Sequence, residues 1–395
     1  MTPGARVQAA IEILDEVIAA ARSAGPAADT IIARYFKTRR YAGSKDRRAV
    51  RELVYRAIRR SGDVPASGRA AMLGVAEDEP ELRGLFDGSP HAPAAADAQD
   101  EAAPRSPLPS WIEPLLDRAV ERRHEIAALL DRAPLDLRVN SLKSERGEVL
   151  AKLEGAEPTP LSPMGVRLPQ GYAVEQHPLW IEGHVEVQDE GSQLLALSCA
   201  AEPGMTVLDL CAGAGGKTLA LAAEMANRGR IIASDTDRAR LSRMRPRLER
   251  AGIGIVEQRL LDPGREKEAL ADLSGGLDLV LVDAPCSGSG TWRRNPETRW
   301  RLTPQRLERL VMLQAHLLDV AAELVRPGGA LVYAVCSLLE QEGRAQAEAF
   351  GARHSAFVPE SPIIEGGRPS GPGRLLTPAH DGTDGFFVAR WRAPC

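Results

Sequence analysis

The residues of this chain best suited to chemistry are Asp283, Cys286 and Cys336, a carboxylate and two thiols. Asp283-Ala284-Pro285-Cys286 follows the apolar run Leu277 to Val282, and Cys336-Ser337 follows Ala330 to Val335. Neither run has a helical period. Both read as buried parallel strands, so each thiol is predicted just past a carboxyl strand end, the edge where open α/β sheets bind ligands. Strands joined by one crossover helix usually lie side by side, which would bring both thiols to one rim with Asp283 between them and the cofactor loop. A single cysteine at a strand end is more often packing, and Cys199 and Cys211 are read that way as thiols. The matched pair beside a carboxylate is read as reactive.

Such a set suits a nucleophilic route to the C5 carbon of cytosine. A thiolate that adds at C6 turns the ring into an enamine, and C5 then attacks a sulfonium methyl. Asp283, as an acid toward N3, would offset the charge that builds on the ring. The C5 proton must leave before the thiol is eliminated, and a second thiol can serve that release. Position alone leaves open which thiol takes which part.

A methyl donor needs its own site, and the chain offers one. The strand Val207 to Leu210 runs into Cys211-Ala212-Gly213-Ala214-Gly215-Gly216-Lys217-Thr218, where glycines allow close backbone approach and the start of a helix offers free N–H groups. Asp235 ends the next strand about 20 residues further on, the position from which a carboxylate binds ribose hydroxyls. Asp262, after a third strand predicted over 253–258, is in reach of an adenine amino group. This is no triphosphate loop, because Cys211 stands where the first glycine is required, and Gly213, Gly215 and Gly216 do not fit the dinucleotide pattern. S-adenosylmethionine, which has no pyrophosphate, fits.

These elements sit in a chain of 395 residues, long enough for two or three domains, with a net charge of only −4. Any argument for nucleic acid must therefore come from local clusters. Five cysteines without a Cys-x-x-Cys pair predict neither disulfides nor a metal site, and no apolar run is long enough to span a bilayer. The expectation is a cytoplasmic protein with no membrane or metal partner. Residues 1–86 read as a helical bundle, with Ser44 as a helix cap and Lys45, Arg47, Arg48, Arg51, Arg56, Arg59 and Arg60 on a polar face that either is solvated or meets RNA. Residues 87–108 are poor in large apolar residues and read as a flexible linker. Residues 109–190 read as a small α+β subdomain in which Arg138 and Asn140 are a surface charge and a turn residue, and 191–395 as the strand–helix repeat. A helix from Pro304 is expected to stop at Arg326 to Gly329, and 359–384 to be a loop. Arg293, Arg294, Arg299 and Trp300, cations with an aromatic, suit a polyanion with exposed bases.

The combination of Asp283 to Thr291, Arg293-Arg294-Asn295-Pro296, Arg299-Trp300, Gly215 to Thr218, Tyr333 to Ser337 and Asp384-Gly385-Phe386-Phe387 resembles the Sun/Fmu family of RNA cytosine-5 methyltransferases over about 111–391. Residues 42–55 resemble the NusB-like domain of its RsmB-type members. The resemblance implies a Rossmann-like α/β methyltransferase domain, preceded by an RNA-recognition-like insert and an all-α NusB-like domain. It implies S-adenosylmethionine at Cys211 to Lys217, Asp235, Asp262 and Asp283, with Cys336 as nucleophile and Cys286 assisting release. Its substrate would be small-subunit (16S) ribosomal RNA and not DNA; a transfer RNA enzyme and a non-catalytic assembly factor are the alternatives. Gly213-Ala214 stands where the family commonly has Ala-Pro, and Val335 where it has Thr.

Overall fold

In the computed structural model, which describes residues 1–23 and 25–395, the chain forms two units. One takes Met1–Leu115, Arg122–Asp131 and Thr291–Pro304; the other takes Leu116–Glu121, Arg132–Gly290 and Gln305–Cys395.

The first unit is all helical: α1 (Pro3–Arg22), α2 (Ala28–Lys37), α3 (Ser44–Arg60), α4 (Gly68–Asp78), the single turn α5 (Pro80–Arg83) and α6 (Arg122–Leu130). The apolar positions that define the helical period, Leu14, Val17 and Ile18 of α1 and Val50, Val54 and Ile58 of α3, share one core with Ile31, Phe36 and Met72. Ser44 is the first helical residue, and the cap is Gly43. Three cations of the basic face of α3 are paired within the unit: Arg51 with Asp29, Arg56 with Glu79, and Arg60 with Glu77 and Asp78. Lys45 and Arg48 are exposed. Residues 87–108 carry no helix or strand, yet they lie along the bundle. The Ala103 amide donates to Ala70 O at 2.8 Å, Arg69 pairs with Asp100 at 2.6 Å, and Leu108 is buried.

The basic run after Cys286 departs furthest from expectation, because Thr291–Pro304 belongs to this helical unit. Arg299 is 1% exposed and Trp300 4%. Arg299 donates to the carbonyls of Ile58, Arg59 and Pro107, and Trp300 Nε1 donates to Ser61 O at 2.8 Å. Neither side chain faces a polyanion.

The second unit opens with a four-stranded antiparallel sheet of β1 (Leu135–Val139), β2 (Glu157–Pro158), β3 (Gly165–Leu168) and β4 (Val185–Val187), in the order β2-β3-β1-β4, with α7 (Arg146–Lys152) and the turn α8 (Pro178–Ile181). Leu137, Val139, Val149, Leu153, Val166 and Val185 form its core. Arg138 is buried rather than a surface charge and donates to Gln188 at 2.7 Å, and Asn140 holds the carbonyls of Gly183 and Ala251.

Then α9 (Glu190–Ser198) leads into the repeat: β5 (Thr206–Asp209), α10 (Gly216–Glu224), β6 (Arg230–Asp235), α11 (Arg238–Ala251), β7 (Val256–Leu260), α12 (Glu266–Ala269), β8 (Leu277–Asp283), α13 (Pro304–Leu324), β9 (Val325–Val335) and α14 (Arg344–Arg353). The chain closes with β10 (Val358–Glu360), β11 (Arg368–Ser370), β12 (Gly373–Leu376), the turn α15 (Pro378–Asp381) and β13 (Phe386–Arg392). The sheet order is β11-β12-β13-β9-β8-β5-β6-β7, with β7 to β9 parallel, β13 antiparallel to β9, and β10 also on β13. The expected loop at 359–384 is thus an antiparallel edge made of very short strands between glycines of positive φ, too brief for a period to register. The expected helix stop at Arg326 to Gly329 already lies within β9, which begins one residue after α13 ends. Among the described residues no helix is long and apolar enough to cross a membrane, and no cluster of three or more His, Cys, Asp or Glu could hold a metal.

Candidate active site

Register carries the site. β8 pairs with β9 so that Asp283 lies opposite Ala334, two residues before Cys336, and β5 lies between β8 and β6. The carboxyl ends therefore present Asp235, Asp209, Asp283 and Cys336 in order along one rim, and the loop after β8 adds Cys286. The sulfurs of Cys286 and Cys336 are 3.2 Å apart, in hydrogen-bond contact. Both thiols are half-buried. The hydrogen bond with Cys336 and burial, with the Glu342 carboxylate nearby, push the Cys286 thiol well above its ordinary range. Cys286 is thereby held as a proton-bearing partner to the other sulfur.

Lys217, from the first turn of α10, reaches across to Asp283. Its ammonium donates to Asp283 Oδ2 at 2.7 Å and lies 5.8 Å from the Phe386 ring centre. Burial alone would lower Lys217, but Asp283, Cys336 and Asp209 outweigh it and hold the ammonium above its usual value. Phe386 is brought in by the Asp384 to Phe387 turn, where the Gly385 amide donates to Gly290 O at 2.8 Å. A Cβ on Gly290 would lie 2.0 Å from Gly385 O, so two glycines from distant motifs are required for one close backbone contact.

The cofactor loop is held at several points. Gly213 (φ +57°) and Gly215 (φ +85°) adopt left-handed conformations, and a Cβ on Gly215 would meet Met244 at 2.5 Å. Asp235 Oδ2 accepts from the Gly213 amide at 2.8 Å, and Arg247 of α11 donates to Ala214 O at 2.7 Å while also pairing with Glu186 of β4 at 3.0 Å. The stiffness that an Ala-Pro pair would give this loop is supplied here by Asp235 and Arg247. Nothing lies within 4 Å of a Cβ built on Gly213 or Gly216, which leaves that face of the backbone open. A carboxylate has about four acceptor positions, so Asp235 can take ribose hydroxyls beside the bonds it already accepts from Gly213 and Asp237. Asp262 is exposed and follows Leu261, whose amide bonds Asp235 O at 3.0 Å. Burial pushes the Cys199 and Cys211 thiols up.

Several groups of this site were not picked out from sequence. Asp209 is fully buried and accepts from Thr218 Oγ1 at 2.7 Å; burial pushes its carboxyl up to about 7. A carboxyl raised from 3.8 in the unfolded chain binds its proton more tightly when folded, so stability falls as pH rises from about 4 to 7. Asp209→Asn is expected to remove that component, worth on the order of a few kcal/mol at about 1.4 kcal/mol per unit. Urea midpoints of both proteins across this range check it, and identical pH slopes would refute it. Glu342 and Arg247 were likewise missed. Arg247 carries a faint signal, since Arg243, Arg247 and Arg250 share one stripe of α11; Glu342 carries none.

A parallel five-stranded sheet extended by antiparallel strands, with a glycine loop after its first strand and an acid ending the second, defines the Rossmann-like methyltransferase class. PH0851 superposes with a TM-score of 0.79 over 99% of both chains at 25% identity, and a methyltransferase homolog protein from Pyrococcus horikoshii with 0.61 over 72% of this chain and 93% of its own, also at 25%. The family model for the 16S rRNA methyltransferase RsmB/F matches residues 196–392. Over residues 196–392 the chain is similar to this family. Ribosomal RNA small subunit methyltransferase B of Salmonella newport (strain SL254) is 36% identical over 288 residues, and its namesake from Salmonella typhi shares the same identity and span. These alignments cover 71% of this chain but 65% of each relative's length.

Proposed function

We propose that this chain uses S-adenosylmethionine to methylate C5 of a cytosine in RNA, and that the RNA is that of the small ribosomal subunit. The observation that carries the reading is the pair of sulfurs from two neighbouring strand ends, 3.2 Å apart, beside the Lys217–Asp283 ion pair. The names of the relatives support the choice of RNA.

Residues 211–217, Asp235 and Asp262 would hold S-adenosylmethionine, which would supply an electrophilic methyl when bound. Cys336, as thiolate beside the Lys217 ammonium, adds to C6. The C5–C6 electrons shift toward the N3 side of the ring, where the hydrogen-bonded Asp283–Lys217 pair provides the proton that neutralises it. C5 then carries the nucleophilic electron pair and takes the methyl. In the elimination Cys286 passes its thiol proton to the departing Cys336 sulfur and the Cys286 sulfur, so charged, accepts the C5 proton; the C5 electrons restore the C5–C6 double bond as the C6–S bond breaks. The N3 proton returns to the pair.

Tritiated S-adenosylmethionine with small-subunit ribosomal RNA, followed by bisulfite mapping of the product, tests this. Label retained at C5 of one cytosine is expected. Label in transfer RNA only would change the substrate, and RNA binding without transfer would favour an assembly factor. A further expectation concerns the loop: Arg247→Ala should weaken S-adenosylmethionine binding about tenfold, the worth of one charged hydrogen bond. Calorimetry measures it, and unchanged affinity would remove Arg247 from the account of the loop.

A further inference from the structure

Behind the two thiols lies a carboxylate that the mechanism above does not use. Glu342, in the turn before α14, is 0% exposed. Its side chain accepts from the Ser287 amide at 2.8 Å, the Ser287 hydroxyl, the Ser337 hydroxyl at 2.6 Å and Gln314 Nε2 at 3.0 Å. Ser287 and Ser337 are the residues immediately after Cys286 and Cys336. We infer that Glu342 is a positioning residue, which sets the separation of the two reactive sulfurs by clamping the residue that follows each; this rests on the proposed roles of the cysteines.

The geometry leaves little slack. An acceptor-only carboxylate has lone pairs for all four donors, so one group closes both turns. Gln314 also donates to Pro285 O at 2.9 Å, which ties the residue before Cys286 into the same node. Tyr333 of β9 donates to the backbone carbonyl of Glu342 at 2.6 Å and anchors the carboxylate to the strand that delivers Cys336. Ser289 completes the link: it contacts the Ser337 hydroxyl at 3.0 Å and accepts from the Leu338 amide at 2.9 Å. Each cysteine thus leaves its strand on a flexible turn, yet both turns are fixed to one buried point. The same charge adds to the forces that keep Cys286 protonated.

Steady-state kinetics of Glu342→Gln, Ser287→Ala, Ser337→Ala and the double serine variant test the inference. Positioning predicts that kcat falls about tenfold to a hundredfold for Glu342→Gln, because small displacements of reacting groups cost that much. KM for RNA and for S-adenosylmethionine should stay within about twofold, and the two serine changes should combine less than additively, as members of one node do. Should Glu342→Gln fail to fold, the serine variants, which keep the carboxylate, decide the matter. An unchanged kcat in variants of an active wild type would overturn the inference alone, as would a loss confined to KM. A wild type that neither methylates cytosine nor yields a covalent species with Cys286→Ala would overturn the reading of the site itself.

Discussion

Cys336→Ala is expected to abolish methyl transfer and to leave no covalent protein–RNA species, whereas Cys286→Ala is expected to accumulate one. The first removes the sulfur proposed to bond to C6, a loss on the order of 10³-fold or more for a missing nucleophile. The second leaves that bond able to form but removes the thiol 3.2 Å away that hands the departing sulfur its proton. Denaturing gels with labelled RNA read both outcomes at once: a shifted band for Cys286→Ala, none for Cys336→Ala. On the proposed reading Cys286 is the proton-bearing partner, because its hydrogen bond with Cys336 and its burial push it toward the protonated form. A shifted band with Cys336→Ala instead would exchange the two roles.

The rim of the sheet was legible because its signals are local. β5, β6, β8 and β13 are apolar runs with abrupt ends, and residues fixed to those ends, such as Asp235, Asp283, Cys286 and Cys336, inherit their positions from the strands. Glycine spacing gave the loop for the same reason. What stayed hidden depends on contacts between distant segments. Glu342 is one acid among many until its turn is folded against Ser287 and Ser337. Asp209 lies in the interior of an otherwise ordinary strand signal. The antiparallel edge at 358–376 is made of three- and four-residue strands whose pairing is set by β13 rather than by their own composition. Composition also misled: 87–108 lacks large apolar residues, but buried Ala103 and Leu108 and the Arg69–Asp100 pair suffice to lay it against the helices.

The same limit governs Arg299, for which a large structural effect is expected. A cation next to a tryptophan reads as a nucleic-acid contact, but Arg299 spends its donors on Ile58, Arg59 and Pro107 carbonyls. Ile58 and Arg59 lie in the last turn of α3, where Ile58 O takes only a shared cap bond from the Ser61 amide at 3.3 Å and where a positive charge meets the negative end of the dipole. Burial, with Arg59 nearby, pulls the guanidinium down to about 10, so it remains a cation at neutral pH and is held by carbonyls rather than by a carboxylate. Arg299→Ala would strand these buried acceptors and open a space beside Trp300, and the helical unit should lose about 3–5 kcal/mol, the scale of breaking a buried charged network. Arg299→Lys should recover only part of this, since one ammonium cannot span all three carbonyls in the fixed fork of a guanidinium. Chemical denaturation followed by circular dichroism, with hydrogen exchange at the end of α3, measures the loss. A polyanion contact predicts the opposite pattern: stability within about 0.5 kcal/mol of wild type, and a salt dependence of RNA affinity whose log–log slope falls by about one. That result would return Arg299 to the surface role its sequence suggests.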